Sequence, residues 1–357
     1  YDLWAVDIRR FGWPHFDTAW LRARTYKAYG KHYTMAWPAE EHDSGCPCRK
    51  SQLYERLKVD GAVFGEKLGW ERPNLYADPD AAEQQRDIYT FERPNWHAAV
   101  GREHRAAREA AVLFDQTSFG KFVLKGPDAE AALNWIAAND MSKPVGSLVY
   151  TQMLNDQGGI ECDLTCVRMA ENEYYIVTGT GFVTHDFDHI SKNIPAGMNA
   201  QLVDVTSAYA VLSLFGPNAR PILQAITSDD ISNDVLPFGA SKTIDIAGCP
   251  VSALRVSYVG ELGWELHLPT EYAAAVNDAI HHVGAIHALR NAGFRAIETL
   301  RLEKEFRAWS ADIGPDHTSF EAGLGFAVKL DTNLAFKGRD ALMAQASDGV
   351  KKRMTIF

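Results

Sequence analysis

The chain has 357 residues, of which 46% are hydrophobic and 23% charged, with a formal net charge of −10 and a pI near 5.6. This length and composition favour a globular protein of two or three domains and argue against wholesale disorder. The acidic balance argues against a nucleic-acid or anionic-membrane partner. No run approaches the ~20 apolar residues that a membrane span requires. We therefore expect neither a nucleic-acid nor a membrane partner.

The start of the chain, Tyr1-Asp2-Leu3-Trp4, has no initiator Met and no secretion signal, and we interpret it as the interior of a longer protein. Five cysteines without a regular framework predict free thiols in a reducing compartment. The cytoplasm fits this prediction, as does the mitochondrial matrix if the source is eukaryotic. Cys46-Pro47-Cys48 lacks a second ligand pair at zinc-finger spacing, so we expect no metal site.

Few helices or strands are predicted before the two-part repeat described below. Residues up to about 75 predict an irregular segment with one or two helices, around 20–30 and 51–60. A polar linker over 78–87 precedes an amphipathic helix over 101–113, where Ala and Leu recur at helical spacing.

A two-part repeat follows. An apolar strand at 122–124 leads into Gly126-Pro127-Asp128 and a helix, and an apolar strand at 211–215 leads into Gly216-Pro217-Asn218 and a second helix. Each helix has Pro near its first turn and a short polar residue as its cap. A repeat at a spacing of about ninety residues predicts a duplicated α+β module rather than a solenoid.

β-rich runs lie after each half of the repeat. Residues 147–154 and 160–168 are joined by a turn signal and predict a hairpin, with a third strand at 174–180. Later elements are a second hairpin, two helices and a strand that is just beginning, at 251–259 with 263–268, at 271–287 and 294–305, and at 351–357.

Asp163 is the first candidate site residue, because it lies in an apolar, β-branched run where a carboxylate is costly to bury unless it is paired. Period-2 alternation places it on the face opposite Cys162 and Leu164. Two interpretations stay open. Asp163 is either a solvent-facing residue of a half-exposed strand, or a pocket carboxylate that stabilises a cationic amine or accepts a proton.

Two further charged residues are candidates. Glu265 lies in an apolar strand, and is either a surface residue of an edge strand or an acceptor of two parallel hydrogen bonds from an amino-pyrimidine edge. Arg301 lies on a helix where Glu298 and Glu305 are at pairing distance, which predicts a mostly solvated face. The chain has no P-loop or dinucleotide fingerprint, so no motif here predicts flavin or nucleotide binding.

Four motifs, taken together, resemble the glycine-cleavage T-protein (aminomethyltransferase) family in order and approximate spacing, from about residue 52 to the end. They are Tyr150-Thr-Gln-Met-Leu-Asn with Gly158-Gly159-Ile160 and Asp163-Leu164; Tyr258-Val-Gly-Glu-Leu-Gly-Trp-Glu265; Leu300-Arg301-Leu-Glu303-Lys304; and Glu321-Ala-Gly323-Leu-Gly325-Phe. The variants at 204–212, 259–265 and 303–304 are more similar to the dimethylglycine/sarcosine dehydrogenase branch. Residues 2–11 resemble the segment that follows the flavin domain in those dehydrogenases.

The resemblance implies an α+β fold: a duplicated T-protein-like folate-binding fold with antiparallel sheets and flanking helices, and a truncated C-terminal β-barrel. Residues 1–55 would be the segment after an absent flavin domain, and 56–330 the folate-binding region with related units near 120–140 and 210–227. Residues 331–357 would start the barrel. We expect a fragment cut at both ends.

The resemblance also implies site residues. Asp163 would lie near the reactive nitrogens of tetrahydrofolate and promote one-carbon transfer, and Glu265 would hold the amino-pyrimidine edge of the pterin. Tyr150 would line the folate pocket, Tyr258 of the shared motif would bind the cofactor with it, and Arg301 would support the site. The family has an Arg four residues before Arg301, where this chain has Ile297, so other cations would hold the folate tail or it would be held more weakly.

The function implied is capture of a one-carbon unit by tetrahydrofolate. An upstream flavin domain with FAD would oxidise dimethylglycine or sarcosine, and the resulting iminium or formaldehyde would become 5,10-methylenetetrahydrofolate. The partners would be folate, the methylamine-derived one-carbon unit and the flavin domain. Two alternatives stay open: a folate-dependent demethylase without flavin, and a non-catalytic folate-binding module.

Overall fold

The computed structural model describes residues 3–78, 80–81 and 84–355, which form nine α-helices and thirteen β-strands with short 3-10 turns between them. The helices are α1 (Thr18–Gly30), α2 (Tyr54–Val59), α3 (His97–Glu109), α4 (Ala129–Ile136), α5 (Val183–Asn193), α6 (Ala219–Ile226), α7 (Ala273–Gly284), α8 (Phe294–Glu303) and α9 (Arg339–Asp348). The strands are β1 (Ala62–Lys67), β2 (Trp70–Tyr76), β3 (Ala111–Asp115), β4 (Gly120–Lys125), β5 (Leu148–Leu154), β6 (Ile160–Ala170), β7 (Glu173–Thr178), β8 (Gln201–Asp204), β9 (Tyr209–Phe215), β10 (Ser241–Ile246), β11 (Cys249–Leu254), β12 (Gly263–Pro269) and β13 (Leu289–Asn291).

Two larger sheets carry the fold. One has the order β5-β6-β7-β4-β8 and is antiparallel throughout, and the other has the order β10-β11-β12-β9-β3-β13, where only β13 and β3 run parallel. Apolar side chains of the first sheet pack on α4 and α5, and those of the second pack on α6 and α7. The opposite faces meet in a smaller apolar cluster that joins β6 and β7 to Leu254. The predicted α+β fold with antiparallel sheets and flanking helices is confirmed.

The predicted repeat is present as two strand–turn–helix units, β4 with α4 and β9 with α6. Gly126 and Gly216 both have a positive φ, and a Cβ there would lie 2.2 Å from the Asn199 carbonyl oxygen or 2.5 Å from that of Ala110. Each turn is thus pressed against a neighbouring backbone in a conformation that glycine adopts most readily.

Asp128 and Asn218 are the N-cap residues of α4 and α6, as predicted, but neither side chain makes a capping hydrogen bond. The Asp128 carboxylate accepts a hydrogen bond from the backbone N–H of Asn199 at 2.7 Å. The side-chain Nδ2 of Asn218 donates to the backbone carbonyl of His287 at 3.1 Å. Because each turn lies against a distant segment, the polar side chain bonds to that segment instead of to the helix.

Several predicted boundaries also change. The helix expected over 101–113 ends at Glu109, and residues 111–115 form β3, whose side chains are buried on both faces and so lack strand alternation. Residues 62–76, expected to be irregular, form the β1–β2 hairpin. Strand β11 ends at Leu254, so 255–262 is a loop.

The predicted strand at 351–357 is absent from its described part, 351–355, where the Met354 amide donates to the Glu321 carbonyl at 2.9 Å. Residues 356–357, like parts of the predicted linker at 78–87, lie outside the described residues. No helix in the described ranges is long and apolar enough to cross a membrane.

Candidate active site

Asp163 lies on β6, on the face that points away from the helices. Its neighbours Cys162 and Leu164 belong to the apolar cluster that covers α4 and α5, as the alternation predicted. The Asp163 side chain is partly exposed on the opposite face. Val167, four residues further along the strand, lies on the same face as Asp163 and packs toward the second sheet. The Asp163 carboxylate therefore lies on the face of the first sheet that is turned toward the second sheet.

Neutral donors hold the Asp163 carboxylate. Gln152 Nε2 donates to Asp163 Oδ1 at 2.9 Å, and the Tyr150 hydroxyl also hydrogen-bonds to the carboxylate. Burial raises the pKa of Asp163 to about 6, against the effect of these two hydrogen bonds, and the charge of Asp186 adds to the rise. Asp163 is thus partly enclosed and bonded to neutral groups, and its role as a pocket carboxylate stays a prediction.

Two tyrosines lie beside Asp163. The Tyr150 ring stacks on the exposed Phe326 ring at a centroid distance of 6.1 Å, and Tyr258 stacks on Phe306 at 6.0 Å. The Tyr258 hydroxyl donates to the Arg307 carbonyl at 2.7 Å. Burial raises the pKa of each tyrosine above its usual range, and the charge of Asp163 raises both further. Both phenols therefore stay protonated and present aromatic faces near one carboxylate.

Arg301 lies behind this cluster and is only 2% exposed, so the predicted solvated face is wrong at this position. It pairs with Glu298, as predicted, but its second carboxylate is Asp312 instead of Glu305. It also donates to the Phe306 carbonyl at 3.0 Å. These contacts make Arg301 a link between α8 and residues 306–312, next to Tyr258.

Glu265 lies in a second cluster, on the second sheet. Its Oε2 is 3.5 Å from His267 Nε2, and His267 Nδ1 is 3.0 Å from the Tyr175 hydroxyl of the first sheet. Burial lowers the pKa of His267, so the ring is neutral at neutral pH. Glu265 is 8% exposed and has strands on both sides, so it is not the residue of an edge strand.

The two clusters are separate. Tyr175 pairs with Val167 on β6, four residues from Asp163, which corresponds to about 13 Å along the strand. The structure therefore brings together Asp163, Tyr150 and Tyr258, with Arg301 behind them. Glu265 belongs instead to the cluster with His267 and Tyr175.

Two buried residues near these clusters were missed by sequence reasoning. Gln152 is opposite Asp163 in the strand register, and the predicted hairpin was a signal that could have found it. Lys121 is fully buried between the repeats and donates to the carbonyls of Thr117 and Tyr209 at 2.7 and 2.8 Å. Burial lowers the pKa of Lys121 to about 7.

One cluster of metal-ligating types exists in the described part of the chain. Ligand atoms of Cys162, His185 and Asp186 lie within 4.8 Å of one another on the helix-facing side of β6. His185 Nδ1 is already 2.8 Å from Asp186 Oδ1, and Thr178 donates to the other oxygen. These hydrogen bonds occupy atoms that a metal ion would need. All five cysteines are free thiols, as predicted.

Comparisons with known proteins agree with the motifs. A family model described as the GCVT N-terminal domain matches residues 53–332, and one described as the FAD dependent oxidoreductase central domain matches residues 1–51. Mitochondrial sarcosine dehydrogenase of Homo sapiens is 38% identical over 393 residues, which cover 100% of this chain and 43% of that protein. Mitochondrial dimethylglycine dehydrogenase of Homo sapiens is 35% identical over 357 residues, which cover 99% and 40%. The chain thus spans less than half the length of these relatives.

The fold comparison points the same way. The crystal structure of glycine cleavage system aminomethyltransferase T from Bartonella henselae matches with a TM-score of 0.70 and 26% sequence identity, over 85% of this chain and 76% of that chain. The match of the GCVT model to residues 53–332 covers more than half of the chain. The predicted family is confirmed, and the chain belongs to the GCVT, or glycine-cleavage T-protein, family.

Proposed function

We propose that this chain binds tetrahydrofolate and loads it with a one-carbon unit. The unit would be an iminium or formaldehyde from oxidative demethylation of dimethylglycine or sarcosine, and the product would be 5,10-methylenetetrahydrofolate. The observation that carries the proposal is the environment of Asp163: a carboxylate held by neutral donors beside Tyr150 and Tyr258, with its pKa raised to about 6.

The side chains fit a reduced folate. Stacked aromatic rings at Tyr150 and Tyr258 suit a flat heterocycle and an aryl amine. The buried Glu265 carboxylate suits an amino-pyrimidine edge, which offers two parallel donors.

Tetrahydrofolate, when bound, supplies the nucleophilic nitrogens that take up the carbon. With its pKa raised to about 6, Asp163 is mostly ionised at pH 7. Its negative charge would stabilise a cationic amine, and its basicity would let it accept the proton that an amine loses on bond formation. Positioned acid–base groups of this kind contribute roughly 10²–10⁴-fold to rate. Enclosure between the sheets would keep formaldehyde from side reactions.

Oxidation of the amine would belong to a flavin domain upstream in a parent protein. The match of residues 1–51 to the FAD dependent oxidoreductase central domain supports this, as does the greater length of the dehydrogenase relatives. The same match counts against a demethylase that works without flavin.

Isothermal titration with tetrahydrofolate tests the binding step. We expect micromolar affinity, and a loss of at least about 10-fold in Glu265→Gln, because a charged acceptor contributes roughly 1.5–3 kcal/mol. Glu271→Gln, at an exposed position of the same segment, should bind like the wild type. A folded wild type that gives no heat, and does not bind in a competition assay, would reject the proposal. Binding without turnover in the presence of a donor would instead favour a non-catalytic folate-binding module.

A further inference from the structure

Gln152 is the residue most closely associated with Asp163. The two are paired across the β5–β6 hairpin, so their side chains share one face. Gln152 is fully buried, and its Nε2 donates to Asp163 Oδ1 at 2.9 Å. If the carboxylate turned away, the N–H of this buried amide would lose its acceptor and be left unsatisfied.

The orientation of the Gln152 amide is set from its other end. The buried Ser319 hydroxyl donates to Gln152 Oε1 at 3.4 Å. Because the amide oxygen already accepts this bond, the amide nitrogen is the atom that faces Asp163. The Gln152 carbonyl accepts from the Ala138 amide at 2.9 Å, which fixes the strand beneath the side chain.

The groups around Asp163 make this donor important. They are Tyr150 on β5, Tyr258 in the 255–262 loop and Asp186 on α5. The two tyrosines are neutral and Asp186 carries a like charge, so no cation among these groups favours the ionised carboxylate. Of the hydrogen bonds that do favour it, that of Gln152 has the larger effect and that of Tyr150 the smaller.

We propose that Gln152 is a positioning residue for one-carbon transfer: its Nε2–H fixes one oxygen of Asp163, and Ser319 sets the direction of the amide. The catalytic meaning of this inference rests on the proposed function, whereas the contact itself does not. Without Gln152 the carboxylate keeps only its contact with Tyr150 and takes up its proton at a higher pH, so fewer molecules carry the reactive form at neutral pH.

The test is a pH titration of the Asp163 carboxyl carbon by NMR in aspartate-labelled protein, with Asp163→Asn used for assignment. Gln152→Leu should raise the Asp163 pKa by about one unit or more, because it deletes the principal hydrogen bond to the charged form. Ser319→Ala should raise it in the same direction by a smaller amount. Gln157→Leu, the same change at an exposed turn position of this hairpin, should leave it unchanged.

Turnover gives a second readout. At pH 7 we expect Gln152→Leu to form methylenetetrahydrofolate at least about 10-fold more slowly, with the acid limb of kcat/KM shifted upward and part of the loss recovered at pH 8.5. Tetrahydrofolate affinity should stay within several-fold. A purely structural role would lower the unfolding free energy without moving the acid limb.

The inference is overturned if Asp163 titrates as in the wild type in both folded Gln152→Leu and Ser319→Ala. Should Gln152→Leu fail to fold, Gln152→Met decides, because it keeps the length of the side chain and removes only the donor to Asp163. An unchanged Asp163 titration in folded Gln152→Met overturns the inference. If the wild type does not bind tetrahydrofolate, the proposed function fails. The NMR titration still decides whether Gln152 controls Asp163.

Discussion

Two carboxylates on opposite sides of strand β6 are held in opposite ways. On the face toward the second sheet, Asp163 is held by the neutral side chains of Gln152 and Tyr150, and its pKa is raised to about 6. On the helix-facing side, Asp186 pairs with His185 at 2.8 Å. Burial lowers the pKa of His185, but hydrogen bonds to Asp186 and Glu161 outweigh burial and raise it to about 9.

The two carboxylates are therefore suited to different roles: Asp163 to proton transfer and Asp186 to stability. A carboxylate with neutral partners can change its protonation state near neutral pH, which a proton-transfer group requires. A carboxylate paired with an imidazolium cannot do so without losing its partner. The His185 ring is also enclosed by the rings of Trp4 and Trp309, at centroid distances of 4.9 and 5.0 Å, so this pair joins α5 to segments near both ends of the chain.

The largest expected effect tests the role of Asp163. Asp163→Asn keeps the shape of the side chain and removes its charge and basicity, and we expect methylenetetrahydrofolate formation to fall by roughly 10²–10⁴-fold. Tetrahydrofolate affinity should stay within several-fold, and the unfolding free energy at pH 7 should not decrease, because a desolvated charge is lost. Initial rates with formaldehyde, corrected for the reaction without protein, measure the first effect. An unchanged rate would remove Asp163 from the chemistry.

The same change on the other face should act on stability. Asp186→Asn removes the nearer of the two carboxylates that pair with the buried His185 ring and leaves Glu161 at 3.6 Å, and we expect a loss of up to roughly 3–5 kcal/mol in unfolding free energy. Urea unfolding at pH 7 measures it. Asp188→Asn is the matched control on the same helix, where partly exposed pairs with Arg9 and Lys192 predict a loss below about 1 kcal/mol. Equal losses in both variants would contradict the comparison.

A third and smaller effect follows from the titration of His185. Its pKa rises from 6.5 in the unfolded chain to about 9 in the folded protein, so folding favours the protonated ring. The stability it contributes is complete below pH 6.5 and is lost as pH rises through 9, by on the order of 3 kcal/mol at most.

Urea unfolding between pH 6 and pH 9.5, in the wild type and in His185→Gln, measures this dependence. The difference between the two proteins isolates the ring, because Lys121 titrates in the same range in both. Asp163 has its pKa raised from 3.8 to about 6, so its contribution to stability is complete below pH 3.8 and is lost as pH rises through 6. This contribution is the same in both proteins and cancels in their difference. A difference that stays constant with pH would show that folding does not raise the pKa of His185.

Features that depend only on residues close together in the sequence could be predicted. The two Gly-Pro turns and the hairpin at 155–159 carry their own local signals, and the alternation around Asp163 gave the correct face of β6. Whether Asp163 is exposed or enclosed depends on Gln152, Tyr258 and Asp186, which belong to three other elements. No local pattern contains that information.

The errors have the same origin. Arg301 lies on a helix face that is polar in sequence, but residues 306–312 fold over it and supply Asp312. Strand β3 follows α3 with only Ala110 between them, so no turn residue marks the change. Helix α5 was not predicted because its polar positions, His185 and Asp186, are buried and paired with each other. In each case a tertiary contact overrides the local preference.

The contact between Ser319 and Gln152 has a consequence for the order in which the molecule is made. The two residues are separated by 167 positions, whereas Gln152 and Asp163 are separated by 11. During synthesis the hairpin can pair its carboxylate with its amide early, while the hydroxyl that orients the amide leaves the ribosome much later. A nascent chain therefore exposes Asp163 to water with its amide partner still free to turn. The hydrogen bond from Ser319 to Gln152 therefore forms only after residues far along the chain have folded.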